Sequence, residues 1–230
     1  LLAIPPEAMD ANQIRFAIFI AVFLLMLGLE SVLQRHPTVD SKPRRLKINF
    51  ALTGIDILVV RLIFGTAAVG AAQFSGERGW GVFNYLQWPE GLENLFCIVI
   101  LGLMIYIQHV VLHRIPFFWR FHIVHHSDLD LDVSSGFRFH PIEILGSMLF
   151  KIGLIFALGP SAVAVLVFEA ILNGMAQFSH SNITLPESFD RLLRYVIVTP
   201  DMHRIHHSVE KKETNSNFGF NLSIWDRVLG

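Results

Sequence analysis

The stretch LGLMIYIQHVVLHRIPFFWRFHIVHH, residues 101–126, decides the reading of this chain. It begins as an unbroken apolar run and ends in histidines. His109 and His113 form H-x-x-x-H where the apolar residues stop. Pro116 then breaks the run, and His122, His125 and His126 form H-x-x-H-H just beyond it. The apolar part extends back to Leu92, so residues 92–112 are long enough to span a bilayer, which takes about 20 residues. The spacing therefore predicts a membrane helix that delivers histidines to one face of the membrane.

The rest of the chain repeats the apolar theme. Residues 14–33 and 48–74 are also long enough to span. A fourth apolar region, 142–178, is interrupted at Gly159-Pro160 and predicts a helical hairpin, since proline removes a donor and clashes with the preceding turn. Each half is marginal in length, so the hairpin is either two short spans or one re-entrant dip. Of the 230 residues, 53% are hydrophobic and 16% charged, and mean hydropathy is +0.51. Soluble domains average roughly 25% charged. Net charge is −1, which gives no reason to expect nucleic acid. The one cysteine, Cys97, sits in an apolar run and reads as a buried structural thiol. Leu1 is not a methionine and Gly230 ends abruptly, so both ends read as trimmed. No cleavable signal peptide is expected, because the first apolar run is too long and lacks a small-residue cleavage site.

Charge sets the orientation. Residues 34–47 carry Arg35, Lys42, Arg44, Arg45 and Lys47 against Asp40, a positive-inside signal that predicts a cytoplasmic loop. The 75–91 loop then falls on the opposite side. The third span returns to the cytoplasm at His109–His113, and residues from Ser179 onward are cytoplasmic too. Every histidine cluster is thereby expected at one interface.

Eleven histidines are present, and their placement tells more than their number. His203, His206 and His207 form a second H-x-x-H-H. His140 and His180 stand singly between the boxes. Helical residues three and four apart share a face, with Cβ atoms about 5–6 Å apart, so two imidazoles can converge on one metal. The adjacent ring, rotated about 100°, can reach a second metal beside it. At this histidine frequency two H-x-x-H-H boxes are expected by accident about 3 × 10⁻⁴ times, whereas one H-x-x-x-H is unremarkable. Imidazole suits zinc, copper, iron and nickel alike. Eight to ten imidazoles without cysteine suit a dinuclear redox centre better than a zinc site of three or four ligands. His36, followed by Pro37 and Thr38, reads as an ordinary loop histidine.

With these motifs in order, the chain resembles the fatty acid hydroxylase / sterol desaturase superfamily, membrane-bound histidine-box di-iron oxidases. Phe121-His122-Ile123-Val124-His125-His126-Ser127 looks like that family's second box, and Arg138-Phe139-His140-Pro141-Ile142-Glu143 like the segment after it. Thr199-Pro200-Asp201-Met202-His203-Arg204-Ile205-His206-His207-Ser208 looks like its third box. Asn217-Phe218-Gly219 and Leu222-Ser223-Ile224-Trp225-Asp226 look like its C-terminal signature. The likeness covers residues 92–230; the first ninety match only as generic spans.

The resemblance implies a single all-α integral membrane domain, residues 1–230, with about four transmembrane helices. Helices within 14–113 and a hairpin at 142–179 would carry a cytoplasmic helical cap, 114–141 and 180–230. It implies metal ligands at His109, His113, His122, His125, His126, His203, His206 and His207, and extends to His180. His140 matches a position that is either a ligand or a group supporting one. It implies two iron ions, with zinc as a substitute in a purified sample. The reaction would be O₂-dependent hydroxylation or desaturation of a sterol, fatty acyl, sphingolipid or related membrane lipid. No flavin, haem or Fe–S motif is present, so electrons would come from a cytochrome b5, ferredoxin or rubredoxin. The location would be an inner membrane in a bacterium or the endoplasmic reticulum in a eukaryote. The competing classes are a zinc-dependent membrane hydrolase and a metal transporter, which would want its polar residues at mid-membrane.

Some polar residues carry further expectations. Glu169, Asn173 and Gln177 fall at i, i+4 and i+8, and His180 continues their face. Polar groups in a membrane helix face a bundle interior or cavity, so this stripe either leads to the metals or closes a packing face. Asp201 and Asp226 are candidate supports for imidazole N–H groups. Asp128, Asp130 and Asp132 are either such acceptors or a solvated loop. Asp56 and Arg61, five apart, pair poorly on a helix and receive no catalytic role. The sequons at Asn182 and Asn221 read as chance, given the cytoplasmic topology.

Overall fold

The computed structural model describes residues 11–65, 67–86 and 88–230. Leu1 and the chain's start lie outside the described residues, as do Thr66 in the second apolar stretch and Gln87 in the loop after it. The described residues form α1 (Ala11–Val32), α2 (Lys42–Phe64), α3 (Ala67–Arg78), α4 (Val82–Leu86), α5 (Glu90–Arg114) and α6 (Pro116–His126). A 3₁₀ turn follows at Val133–Phe137. Then come α7 (Pro141–Leu158), α8 (Ala162–His180), α9 (Glu187–Leu193), α10 (Pro200–His206), α11 (Lys211–Thr214) and α12 (Ile224–Leu229). No strand is present among them, only two isolated bridges, Gln34 to Ile183 and Ile197 to Leu222. The all-α expectation holds.

Five stretches are long and apolar enough to cross a membrane: Gln13–Val32, Lys42–Leu86, Glu90–Arg114, Pro141–Leu158 and Ala162–His180. Their burial pattern is the reverse of a water-soluble helix. In α2 the buried residues are Arg45, Asn49 and Asp56, four and seven positions apart and so on one face. Ile55, Ile57, Leu58, Leu62 and Ile63 point outward. Polar groups in the bundle and apolar ones on its surface are what a lipid environment selects.

The hairpin forms as two full helices. Gly159 adopts φ 68°, ψ 45° and ends α7, its N–H bonding the Ile155 carbonyl at 2.8 Å. That left-handed conformation is free of strain for glycine. Ser161 then caps α8 by accepting the Ala164 N–H at 3.0 Å. Eighteen and nineteen residues give about 27–28 Å each, close to the roughly 30 Å hydrocarbon core.

The second apolar stretch differs from expectation. Instead of one helix over 48–74, α2 starts earlier, at Lys42, and stops at Gly65, where φ is 61° and ψ −106°. A new helix, α3, begins at Ala67 and packs Ala68, Val69 and Ala72 against Ile155 of α7 and Val165 of α8. At twelve residues, or about 18 Å, α3 is too short to cross by itself.

Three buried carboxylate latches tie the spans to the histidine-bearing segments. Glu30, near the end of α1, accepts the N–H groups of Val133 at 2.7 Å and Asn182 at 3.0 Å and pairs with Lys42. Arg45 of α2 is held bidentately by Asp128 at 2.7 and 3.0 Å and pairs with Asp132 at 2.9 Å. Asp130 accepts the N–H groups of Val39 and Asp40. The three aspartates are thus neither a solvated loop nor ring acceptors: they clamp the loop after the second box to the basic 34–47 segment. That segment and the histidines therefore share one side of the molecule. Cys97 is fully buried and unpaired, beside Phe83 and Ala164. Asn182 and Asn221, the sequon residues, are both buried.

Candidate metal centre

Four elements bring nine histidines together. His109 and His113 lie one turn apart at the cap end of α5. His122, His125 and His126 end α6, His180 is the last residue of α8, and His203 and His206 lie on α10 with His207 as the residue that caps its end. They sort into two groups whose ligand atoms lie within 4.8 Å of one another. His109, His113, His122, His126 and His206 form the first; His125, His180, His203 and His207 form the second. Either group could hold a metal ion. The two boxes exchange roles. In α6 the i, i+4 pair His122 and His126 enters the first group and the middle ring, His125, the second. In α10 the pair His203 and His207 enters the second group and the middle ring, His206, the first. His126 stacks on His207 with centroids 4.2 Å apart, joining the groups side by side.

The tautomers follow from the outer partners. His109 Nδ1 lies 2.7 Å from the Phe218 carbonyl, His206 Nδ1 2.8 Å from that of Ser216, His125 Nδ1 3.1 Å from that of Arg138, and His180 Nδ1 2.7 Å from that of Ala176. A carbonyl only accepts, so each Nδ1 carries the proton and each Nε2 presents a lone pair inward. Yet His206 Nε2 lies 3.1 Å from His109 Nε2, and His180 Nε2 3.1 Å from His125 Nε2. Two lone pairs cannot bond each other. Two nitrogens bound at about 2.1 Å to one ion at right angles would sit about 3.0 Å apart. The further contacts, His109 to His122 at 3.1 Å, His203 to His180 at 3.0 Å and His207 to His203 at 3.2 Å, fit the same spacing. The donor set therefore fits metal ions. Burial, and then the neighbouring imidazoles, hold His122, His203 and His207 well below the ordinary imidazole value, so the rings are neutral donors.

Supporting residues divide sharply. His122 Nδ1 lies 2.7 Å from Glu143 Oε1, and Glu143 is buried. Sequence reasoning gave Glu143 no role, because an acid in the first turn of a helix already reads as a dipole partner; its place in the family-like segment after the second box was the available signal. Asp226 accepts the N–H groups of Phe218 at 2.7 Å and Gly219 at 2.9 Å, so it fixes the carbonyl that His109 uses. A Cβ on Gly219 would lie 2.7 Å from Asp226 Oδ2. Asp201 pairs with Arg35 at 3.2 Å and is half exposed, with no ring contact among the described residues. His140 lies in neither group: its Nδ1 accepts the Ile142 N–H at 3.1 Å and caps α7.

A chamber of about 400 Å³ lies among α1, α2, α7 and α8. Its lining includes Phe139, whose ring stacks on His125 at 4.6 Å and 9°. Phe16, Phe19, Phe137 and Met148 add apolar wall, and Thr53, Asp56, Arg61, Lys151, Glu169 and Asn173 are polar. The stripe on α8 thus starts in the chamber at Glu169 and Asn173. It passes Gln177, buried with both amide atoms unpartnered among the described residues, and reaches His180.

Fold and site define a class: an all-helical integral membrane protein with a buried cluster of histidines fit for metal. The chain belongs to the fatty acid hydroxylase family, whose model matches residues 94–230. It is 34% identical over 148 residues to an ornithine lipid hydroxylase, OlsE, of Rhizobium tropici, covering 63% of this chain and 43% of that protein. It is 28% identical over 219 residues to the alkylglycerol monooxygenase of Homo sapiens, covering 92% and 45%. It is 26% identical over 142 residues to the human cholesterol 25-hydroxylase, covering 59% and 49%. The chain spans less than half the length of these relatives. Hydroxylases and monooxygenases are oxidoreductases. No solved structure matches.

Proposed function

We propose that the protein oxidises a C–H bond of a membrane lipid with O₂ at a di-iron centre held by the nine clustered histidines. His109, His113, His122, His126 and His206 would hold one ion; His125, His180, His203 and His207 would hold the other. The observation that carries this is the convergence of imidazoles whose ring nitrogens lie 3.0–3.2 Å apart, with the Nδ1 protons of His109, His125, His180 and His206 held outward, beside a chamber set among membrane helices. Bound iron would supply O₂ activation and C–H cleavage. Oxygen insertion over desaturation is supported by the relatives' names, hydroxylase and monooxygenase; a redox-active metal rather than zinc follows from that chemistry, since imidazole itself does not choose among these metals.

The chain's own residues do the rest. Glu143 and the carbonyls of Phe218, Ser216, Arg138 and Ala176 hold His122, His109, His206, His125 and His180 in orientation. Phe139, stacked on His125, places an apolar wall beside the second group and keeps water from the lipid end that reaches it. Electrons would come from a carrier protein such as a cytochrome b5, ferredoxin or rubredoxin, the donor class that the family resemblance implies. The histidine face is cytoplasmic, the side on which Arg35, Lys42, Arg44 and Lys47 lie.

Protein loaded with Fe(II) should bind two irons per chain and consume O₂ when given a lipid extract, a reductant and a carrier. One ¹⁸O atom from O₂ should enter the product. A protein that takes zinc alone and ignores O₂ would overturn the proposal in favour of a hydrolase.

A further inference from the structure

Charged side chains inside membrane helices are costly and need a local reason. The chamber has an unusual set. Glu169 of α8 is buried and receives a cation on each oxygen: Lys151 Nζ on Oε1 at 2.9 Å and Arg15 Nη1 on Oε2 at 2.8 Å. Two cations on one carboxylate leave one positive charge uncompensated. On the α2 wall Asp56 and Arg61 offset each other in sign, so among the described lining residues three cations face two carboxylates. Arg15 Nε is moreover buried without a hydrogen-bond partner. Lys151 offers three donors, and its one hydrogen-bond partner among the described residues is Glu169.

We propose that this end of the chamber is an anion subsite that anchors the substrate. It binds an amphiphile through an anionic oxygen group, a carboxylate or a phosphate, held by Arg15 and Lys151. The apolar chain lies along Phe16, Phe19 and Phe137 toward Phe139 and His125. Glu169 positions the two cations, and the arriving anion removes the excess charge. Glu169 precedes His180 by eleven residues on one helix, about 16 Å along its axis. The anchor would thus fix which carbon reaches the histidines. This last step rests on the lipid-oxidation reading above; the binding itself does not.

The test uses metal-free, chelator-treated protein in phosphatidylcholine nanodiscs, so binding is read without turnover. Labelled dodecanoate, dodecyl phosphate and dodecanol are each counted per chain against protein-free nanodiscs. At least one of the two anions should bind tenfold or more tighter than dodecanol, and the tighter arm identifies carboxylate or phosphate. Lys151→Met should abolish that preference with dodecanol binding unchanged within twofold, and Lys151→Arg should retain it. Arg15→Gln should weaken it severalfold. Equal binding of all three probes, or a preference that survives both Lys151→Met and Arg15→Gln, overturns the anchor. If the anchor fails while O₂ uptake on lipid persists, only the anchor is lost. If anions bind but the iron-loaded protein ignores O₂, the oxidation reading is lost and the anchor stands.

Discussion

The two histidine groups are built from the same boxes yet are not equivalent. The first has five rings and the second four. The first also has the cluster's one carboxylate support among the described residues, Glu143 on His122, with carbonyls behind His109 and His206. The second relies on backbone carbonyls, those of Arg138 behind His125 and of Ala176 behind His180. A carboxylate raises the basicity of the ring it holds more than a carbonyl does. The difference teaches that a sequence repeat of boxes yields a polarised centre: one half richer in donors and better braced, the other nearer the chamber through Phe139.

That polarity can be broken outright. His180 is the second group's one ring from α8, fully buried, and contacts His125 and His203. His180→Ala should remove the second ion, lowering iron from two to one per chain by elemental analysis, and cut O₂-dependent turnover at least a hundredfold. Retention of two irons would end the pairing of rings into these groups.

A smaller effect should come from the bracing. Glu143→Gln leaves an acceptor for His122 but replaces the carboxyl group with an amide. Losses of 10–100-fold in metal affinity are typical for such outer partners. Here the loss should fall on the first ion alone, seen in chelator competition as one weakened site and one unchanged. Two equally weakened sites would mean the groups are not independently supported.

Much of this centre was legible beforehand, for a physical reason. Helical periodicity fixes which box residues share a face, so the boxes could be read from spacing alone. The sorting into groups was not legible, because it depends on how the fold sets the histidines of α6 and α10 against each other. Nor was Glu143, since its partner lies twenty-one positions away in another element. The break at Gly65 was hidden by hydropathy, which counts apolar residues without regard to helix direction. The aspartates after the second box show the same limit: only the fold brings Arg45, more than eighty residues earlier, between Asp128 and Asp132. The hairpin was legible because Gly159-Pro160 acts locally.

Asp226 offers a finer test of the first group. It holds two N–H groups that set the Phe218 carbonyl against His109. Asn in its place keeps one acceptor oxygen and loses the charge. Hydrogen bonds to charged groups are worth about 1.5–3 kcal/mol, so Asp226→Asn should cost about 1–2 kcal/mol of stability. Affinity for the first ion should fall only severalfold, with the second ion unaffected.

The smallest effect is expected at His140, the histidine that matched a box segment yet stands apart from both groups. Its Nδ1 accepts the Ile142 N–H, and its ring lies 5.2 Å from that of Phe121. A side chain accepting at the start of a helix contributes about 1 kcal/mol, or roughly 2–4 °C of melting temperature in a chain of this size. His140→Ala should show that shift with two irons and most turnover retained. His140→Asn should restore the melting temperature, because asparagine is a strong N-cap and a poor iron ligand. If instead His140→Ala loses an iron and His140→Asn does not regain it, His140 is a tenth ligand, and α7 must move toward the second group when the centre fills.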